Sequence, residues 1–121
     1  LEAGVPEFVA MMVEECYPAE AQQEFKTGLD ALAQRSKTEM GGDFAGLAPE
    51  KKVELLTKVD QEAFDARKEN KPHFFRTMKD LTVLGYFTSE PGATQALNYV
   101  PVPGKYEGCI EYKPGDKAYA M

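Results

Sequence analysis

"VPEFVAMMVEECYP", Val5 to Pro18, decides the fold class. Val5, Phe8, Val9, Met12, Val13 and Cys16 recur at i, i+3, i+4, i+7, i+8 and i+11, which is the full apolar stripe of an amphipathic helix. Pro6 falls in the first turn, where its missing N–H costs nothing. Tyr17-Pro18 ends the pattern, since the residue before a proline is pushed out of the α region.

The same period continues outward from this helix. A second helix is expected from about residue 19 to 37, with Ala21, Phe25, Leu29 and Leu32 on one face and "EMGGDF" as its terminator. "LAPEKK" restarts a helix, with Pro49 at the first helical position and Glu50 near the positive end of the dipole. Val53, Leu56, Val59, Ala63 and Phe64 are expected to face inward along it as far as about Lys68. Pro72 opens a fourth helix carrying Phe74, Phe75, Met78, Leu81 and Leu84, and Gly85 either caps it or allows another segment close.

"TSEPGATQALN" predicts a fifth, short helix capped by Thr88 or Ser89. After Asn98 the period is lost, and Pro101, Pro103-Gly104 and Pro114-Gly115 leave room only for short edge strands. The expectation is an all-α fold, a compact bundle of four to five helices with an irregular C-terminal strap over 98–121 rich in Pro, Gly and Tyr. Residues 1–121 form one domain in this reading, as suits a chain of 121 residues.

A hydrophobic fraction of 43% with 28% charged residues lies in the range of chains that fold around a core. With 14 basic against 20 acidic residues, the net charge is −6, and no dense Lys/Arg cluster offsets it, so a phosphate backbone would be repelled and nucleic acid is not expected as a partner. No apolar run approaches the ~20 residues of a bilayer span, so no membrane insertion is expected either.

Signals for chemistry are weak throughout. His73 is the only histidine and lacks the companions of a zinc site. Glu14, Glu15 and Glu20, or Asp60, Glu62 and Asp65, have the spacing of solvated helix faces. "GCIEY" lacks a Cys-x-x-Cys context, Ser89 lacks a nucleophile elbow, and "PGATQAL" lacks the second Gly and the Lys of a phosphate loop. Cys16 and Cys109 are either separate thiols, an internal disulfide, or, for Cys109, a link to a partner. An internal bond across so long a loop would stabilise by about 4–5 kcal/mol in the chain-entropy model.

Phe74, Phe75, Tyr86, Phe87, Tyr99, Tyr106 and Tyr112 gather in the C-terminal half with five of the eight prolines. They serve either the protein's own core or an interface, where stiff aromatic side chains lose little entropy on association.

"FFRTMKDLTVLGYFTSEPGATQALNYVPVPGKYEGCIEY", Phe74 to Tyr112, resembles the gluconate 2-dehydrogenase subunit 3 family, and "EAGVPEFVAMMVEECY" and "FAGLAPEKK" match its earlier blocks. The resemblance implies a small, non-catalytic partner of a large FAD-dependent sugar or polyol dehydrogenase of the glucose-methanol-choline class, often joined by a c-type cytochrome. FAD and haem c would then sit in the partner subunits, with no cofactor in this chain. It also implies a periplasmic location reached through a twin-arginine signal preceding the "EAGVPEF" block.

On that basis Tyr99, Val100, Pro101, Pro103, Tyr106 and Ile110 are the expected partner contacts. Two alternatives are a free-standing periplasmic binding module with a concave apolar pocket, and a subunit that completes the partner's sugar site with Arg76, Lys79, Asp80 and Tyr106.

Overall fold

A computed structural model describes residues 2–102, 104–105 and 108–120. Four long helices carry the fold: α1 (Val5–Cys16), α2 (Ala19–Met40), α3 (Pro49–Lys68) and α4 (Phe74–Thr88). A 3₁₀ turn (Phe44–Gly46) lies between α2 and α3, and a π-helical turn (Gly92–Ala96) follows α4. Two strands of two residues each, β1 (Asn98–Tyr99) and β2 (Tyr119–Ala120), pair in parallel. The fold is all-α, as the periodicity implies.

Local chemistry explains the helix ends. Pro6 and Pro49 occupy first-turn positions of α1 and α3. α2 runs three residues past the expected stop and closes on Gly41, whose φ of 80° suits a residue without a Cβ. Ser36, fully buried, donates its hydroxyl to the Gly42 carbonyl at 2.7 Å while its own carbonyl accepts from Gly41 and Gly42. A buried hydroxyl is thereby satisfied by the turn that it shapes. His73 caps α4: its Nδ1 accepts from the Phe75 backbone N–H at 3.3 Å.

α4 touches all three other long helices, and two apolar clusters meet on it. Leu32, Met40, Leu55, Val59, Ala63 and Phe75 join α2, α3 and α4. Val13, Phe25 and Leu81 join α1, α2 and α4. Phe74 and Met78 pack against both clusters and so weld them together. Two glycines permit the closest approaches: a Cβ on Gly28 would lie 2.1 Å from Phe74 Cγ, and one on Gly85 would lie 2.6 Å from Phe8 Cδ1. Gly85 therefore admits a ring of α1 onto α4.

Several expected core positions are exposed. Val53 and Phe64 are 64% and 53% accessible, because the buried stripe of α3 is Leu55, Val59 and Ala63. At 3.6 residues per turn, the other two lie roughly 120–140° round the helix from its centre. Phe64 is instead overlaid by Lys68, whose Nζ sits 4.6 Å from the ring centroid. Leu84 is exposed because the buried side of α4 is Phe75, Leu81 and Gly85, and Leu84 lies roughly 100° round the helix from Gly85, the residue that Phe8 covers. Leu29 is exposed at the margin, and Cys16, at the end of the α1 stripe, is exposed too.

Charged residues brace the helices from outside. Arg35 on α2 reaches Glu39 and Glu62, each at 2.7 Å, and Lys58 joins the group through Glu39 and Glu54. Lys79 on α4 holds Asp60 on α3 at 2.7 Å. The Arg35 guanidinium is held above its ordinary pKa chiefly by its hydrogen bond to Glu62, and the same guanidinium holds the Glu39 carboxyl below the usual range. Asp65 is lowered by Lys68 and Gln61.

Candidate functional site

Ser89 is the pivot between α4 and the remainder of the chain. Its hydroxyl donates to the Tyr86 carbonyl at 2.6 Å and accepts from the Gly92 N–H at 3.2 Å, while its carbonyl takes the Ala93 N–H. Ser89 thus caps the short helical segment that follows, as expected from "TSEPG". The bend is tight enough that a Cβ on Gly92 would lie 1.7 Å from the Tyr86 carbonyl oxygen, so only glycine fits.

Beyond it, the strap folds back on itself. Asn98 N–H donates to the Ala118 carbonyl at 2.8 Å, β1 pairs with β2 in the register Asn98 to Tyr119, and Lys117 Nζ donates to the Gln95 carbonyl. The chain between these strands is accordingly an arm closed at its base. Near its return, Pro114 and Gly115 form a β-turn in which Asp116 N–H donates to the Lys113 carbonyl and Gly115 takes φ 101°.

Every described residue from Pro101 to Tyr119 is exposed. Tyr99 is 49% accessible, Ile110 53%, Val102 81% and Tyr112 73%. Among the expected partner contacts, Tyr99, Pro101 and Ile110 are exposed and Val100 is half-buried; Pro103 and Tyr106 lie outside the described residues. Cys16 and Cys109 are free, exposed thiols.

The C-terminal aromatics divide between core and surface. Phe75 is buried and Phe74 packs against both clusters. Tyr86 and Phe87 form an exposed edge-to-face pair with centroids 5.2 Å apart. Val83, Leu84, Phe87, Val102, Tyr112 and Tyr119 are exposed apolar positions absent from the contact set expected from sequence. The available signal was their place after the last core residue of α4 or outside any helical period.

Two concave surfaces are relevant, one against the Pro72–Phe74 corner and one between α3 and α4. One, of about 590 Å³, has Gly28, Ala31, Leu32, Val59 and Phe74 among its apolar lining, with Glu20, Glu24, Arg35 and Glu62 at its polar edge. The other, of about 510 Å³, brings together Asp60, Arg76, Lys79 and Asp80. There Lys79 is paired with Asp60, and Arg76 Nε lies 3.7 Å from Asp80. The acidic triplet of α3 is likewise engaged with basic partners, Asp60 with Lys79, Glu62 with Arg35 and Asp65 with Lys68. Among the described residues no group of three His, Cys, Asp or Glu is arranged to hold a metal ion, and no helix is long and apolar enough to cross a membrane.

Fold and surface together define a small all-α protein whose last turn of α4 and closed C-terminal arm present apolar side chains to solvent. The sequence pattern described as gluconate 2-dehydrogenase subunit 3 matches residues 1–104, and the chain belongs to that family, as an accessory subunit with protein partners. No curated protein and no solved structure matches it.

Proposed function

We propose that this chain is the non-catalytic small subunit of a periplasmic, FAD-dependent gluconate or sugar dehydrogenase complex of the glucose-methanol-choline type. It would act as one domain, holding the flavoprotein subunit in an assembled, exportable and stable form. FAD resides in that larger subunit, and haem c in a cytochrome subunit where one is present.

The observation that carries this reading is the exposed apolar surface of the arm together with the end of α4. Val83, Leu84, Phe87, Tyr99, Val102, Ile110 and Tyr112 are all open to water, and apolar residues concentrated in this way mark contact surfaces. Closure of the arm at its base also supports the reading. The closure entropy of the arm is already lost on folding, so less remains to be lost on association.

Co-expression with an FAD-binding dehydrogenase subunit of the same source, with an affinity tag on this chain, tests the proposal. The expected product is a yellow, FAD-containing complex, and the V102D/I110D variant is expected to lose that complex with an unchanged melting temperature. Repeated recovery of this chain alone, while the flavoprotein is soluble and active without it, would refute the reading.

A further inference from the structure

The groove of about 590 Å³ follows one face of α2. Glu20, Gln23, Glu24, Thr27, Gly28 and Ala31, with Arg35 beyond them, recur at the three- and four-residue spacing of a single helix stripe. From Glu20 to Arg35 that stripe is roughly 22 Å long at 1.5 Å per residue. Val59 of α3 and Phe74 of α4 complete the apolar floor, and Pro72 and His73 form one wall.

The groove is also net acidic, with Glu20, Glu24 and Glu62 against Arg35. Glu62 is held by Arg35, which Glu39 shares, while Glu20 and Glu24 form no ion pair among the described residues. This matches the wider distribution: before Arg67 the chain has 6 basic against 14 acidic residues, whereas Arg67 to Lys79 has 5 against 1. An apolar floor excludes a fully polar occupant, and an acidic edge disfavours an acidic one.

We infer that this groove is a second docking site for the partner subunit, and that it takes a segment presenting apolar side chains flanked by Lys or Arg. The inference rests on the subunit reading above, but concerns a surface separate from the arm. Opposite charge along the edge sets orientation and association rate, and the floor supplies the buried contact.

The test compares the tagged wild-type chain with E20K/E24K and with A31W in binding the purified flavoprotein subunit at about 50 and about 300 mM salt, where charge screening differs. Both variants change exposed positions, and their folding is checked by circular dichroism and melting temperature. Expected results are a wild-type Kd that rises about fivefold or more with salt, a Kd at least tenfold weaker in E20K/E24K with a flattened salt dependence, and similar weakening in A31W. Wild-type affinity in both variants, with V102D/I110D still defective, overturns the groove and leaves the subunit reading standing. A homodimer of the isolated chain that A31W dissociates would assign the groove to a second copy and overturn the inference. Absence of any wild-type complex would overturn both readings.

Discussion

Gly28→Ala sets two physical effects of opposite sign against each other. Gly28 lies within α2, where replacing glycine by alanine should stabilise a helix by about 0.8–1.0 kcal/mol. The added methyl would sit 2.1 Å from Phe74 Cγ, 2.4 Å from Cδ1 and 2.6 Å from Cβ. Those atoms are the root of the ring rather than its tip, so rotation about χ2 gives no relief. Phe74 packs against both apolar clusters, so displacing it disturbs the whole bundle. Overpacking of this kind costs about 1–3 kcal/mol and occasionally more, leaving a net destabilisation of up to about 2 kcal/mol. For a chain of this length the unfolding entropy is about 0.25 kcal/mol/K, so the melting temperature should fall by up to roughly 8 °C. Thermal unfolding followed by circular dichroism reads this directly. Phe74→Ala, which removes the clashing ring and is itself destabilising, should make Gly28→Ala neutral or stabilising in its background. A clear rise in melting temperature for Gly28→Ala in the otherwise unchanged chain would refute the packing argument.

Gly92→Ala should open the arm, because its Cβ meets backbone rather than a movable side chain; limited proteolysis should cut between residues 100 and 118 faster than in the parent, and unchanged cleavage would count against the bend as its support. Leu55→Ala, at a site with no accessible surface, should cost about 3–5 kcal/mol in urea unfolding, and a loss below about 1 kcal/mol would contradict the first cluster. Glu39 and Asp65 titrate below their ordinary values in the folded state, so the stability they contribute is full above the carboxylate range and lost as pH falls through it. Urea midpoints from about pH 6 to about pH 3 should therefore drop, and Arg35→Gln should shrink the part due to Glu39. Both cysteines should react with a thiol reagent in the native chain, one equivalent each, since both are free and exposed.

How much of this was legible in the sequence follows from where burial sets the pattern. α1 and α3 were readable to their ends because Pro6, Pro49 and Tyr17-Pro18 act locally, with no tertiary help. Phase was harder: Val53 and Phe64 are apolar and sit near helical spacing, but a stripe of Leu55, Val59 and Ala63 becomes visible only once α2 and α4 select it. Leu84 also sits at helical spacing, but it is one residue off the buried Gly85, so its side chain turns roughly 100° away from the face that α1 covers. Ser36 gave no signal, because its role depends on the turn at Gly41 and Gly42. In the arm, Pro and Gly announced irregular backbone, yet the pairing of Asn98 with Tyr119 joins positions too distant for any local rule. Tyr99, Pro101 and Ile110 follow from family resemblance and not from any local pattern, and all three are exposed.

The two-residue clasp between Asn98–Tyr99 and Tyr119–Ala120 means that vulnerability is concentrated at the hem of the protein. Loss of the Tyr119–Ala120 side of the pairing would unfasten some twenty residues at once, whereas swaps around Gly104 or Gly108, far from the fastening, would leave the wrist of the ribbon shut.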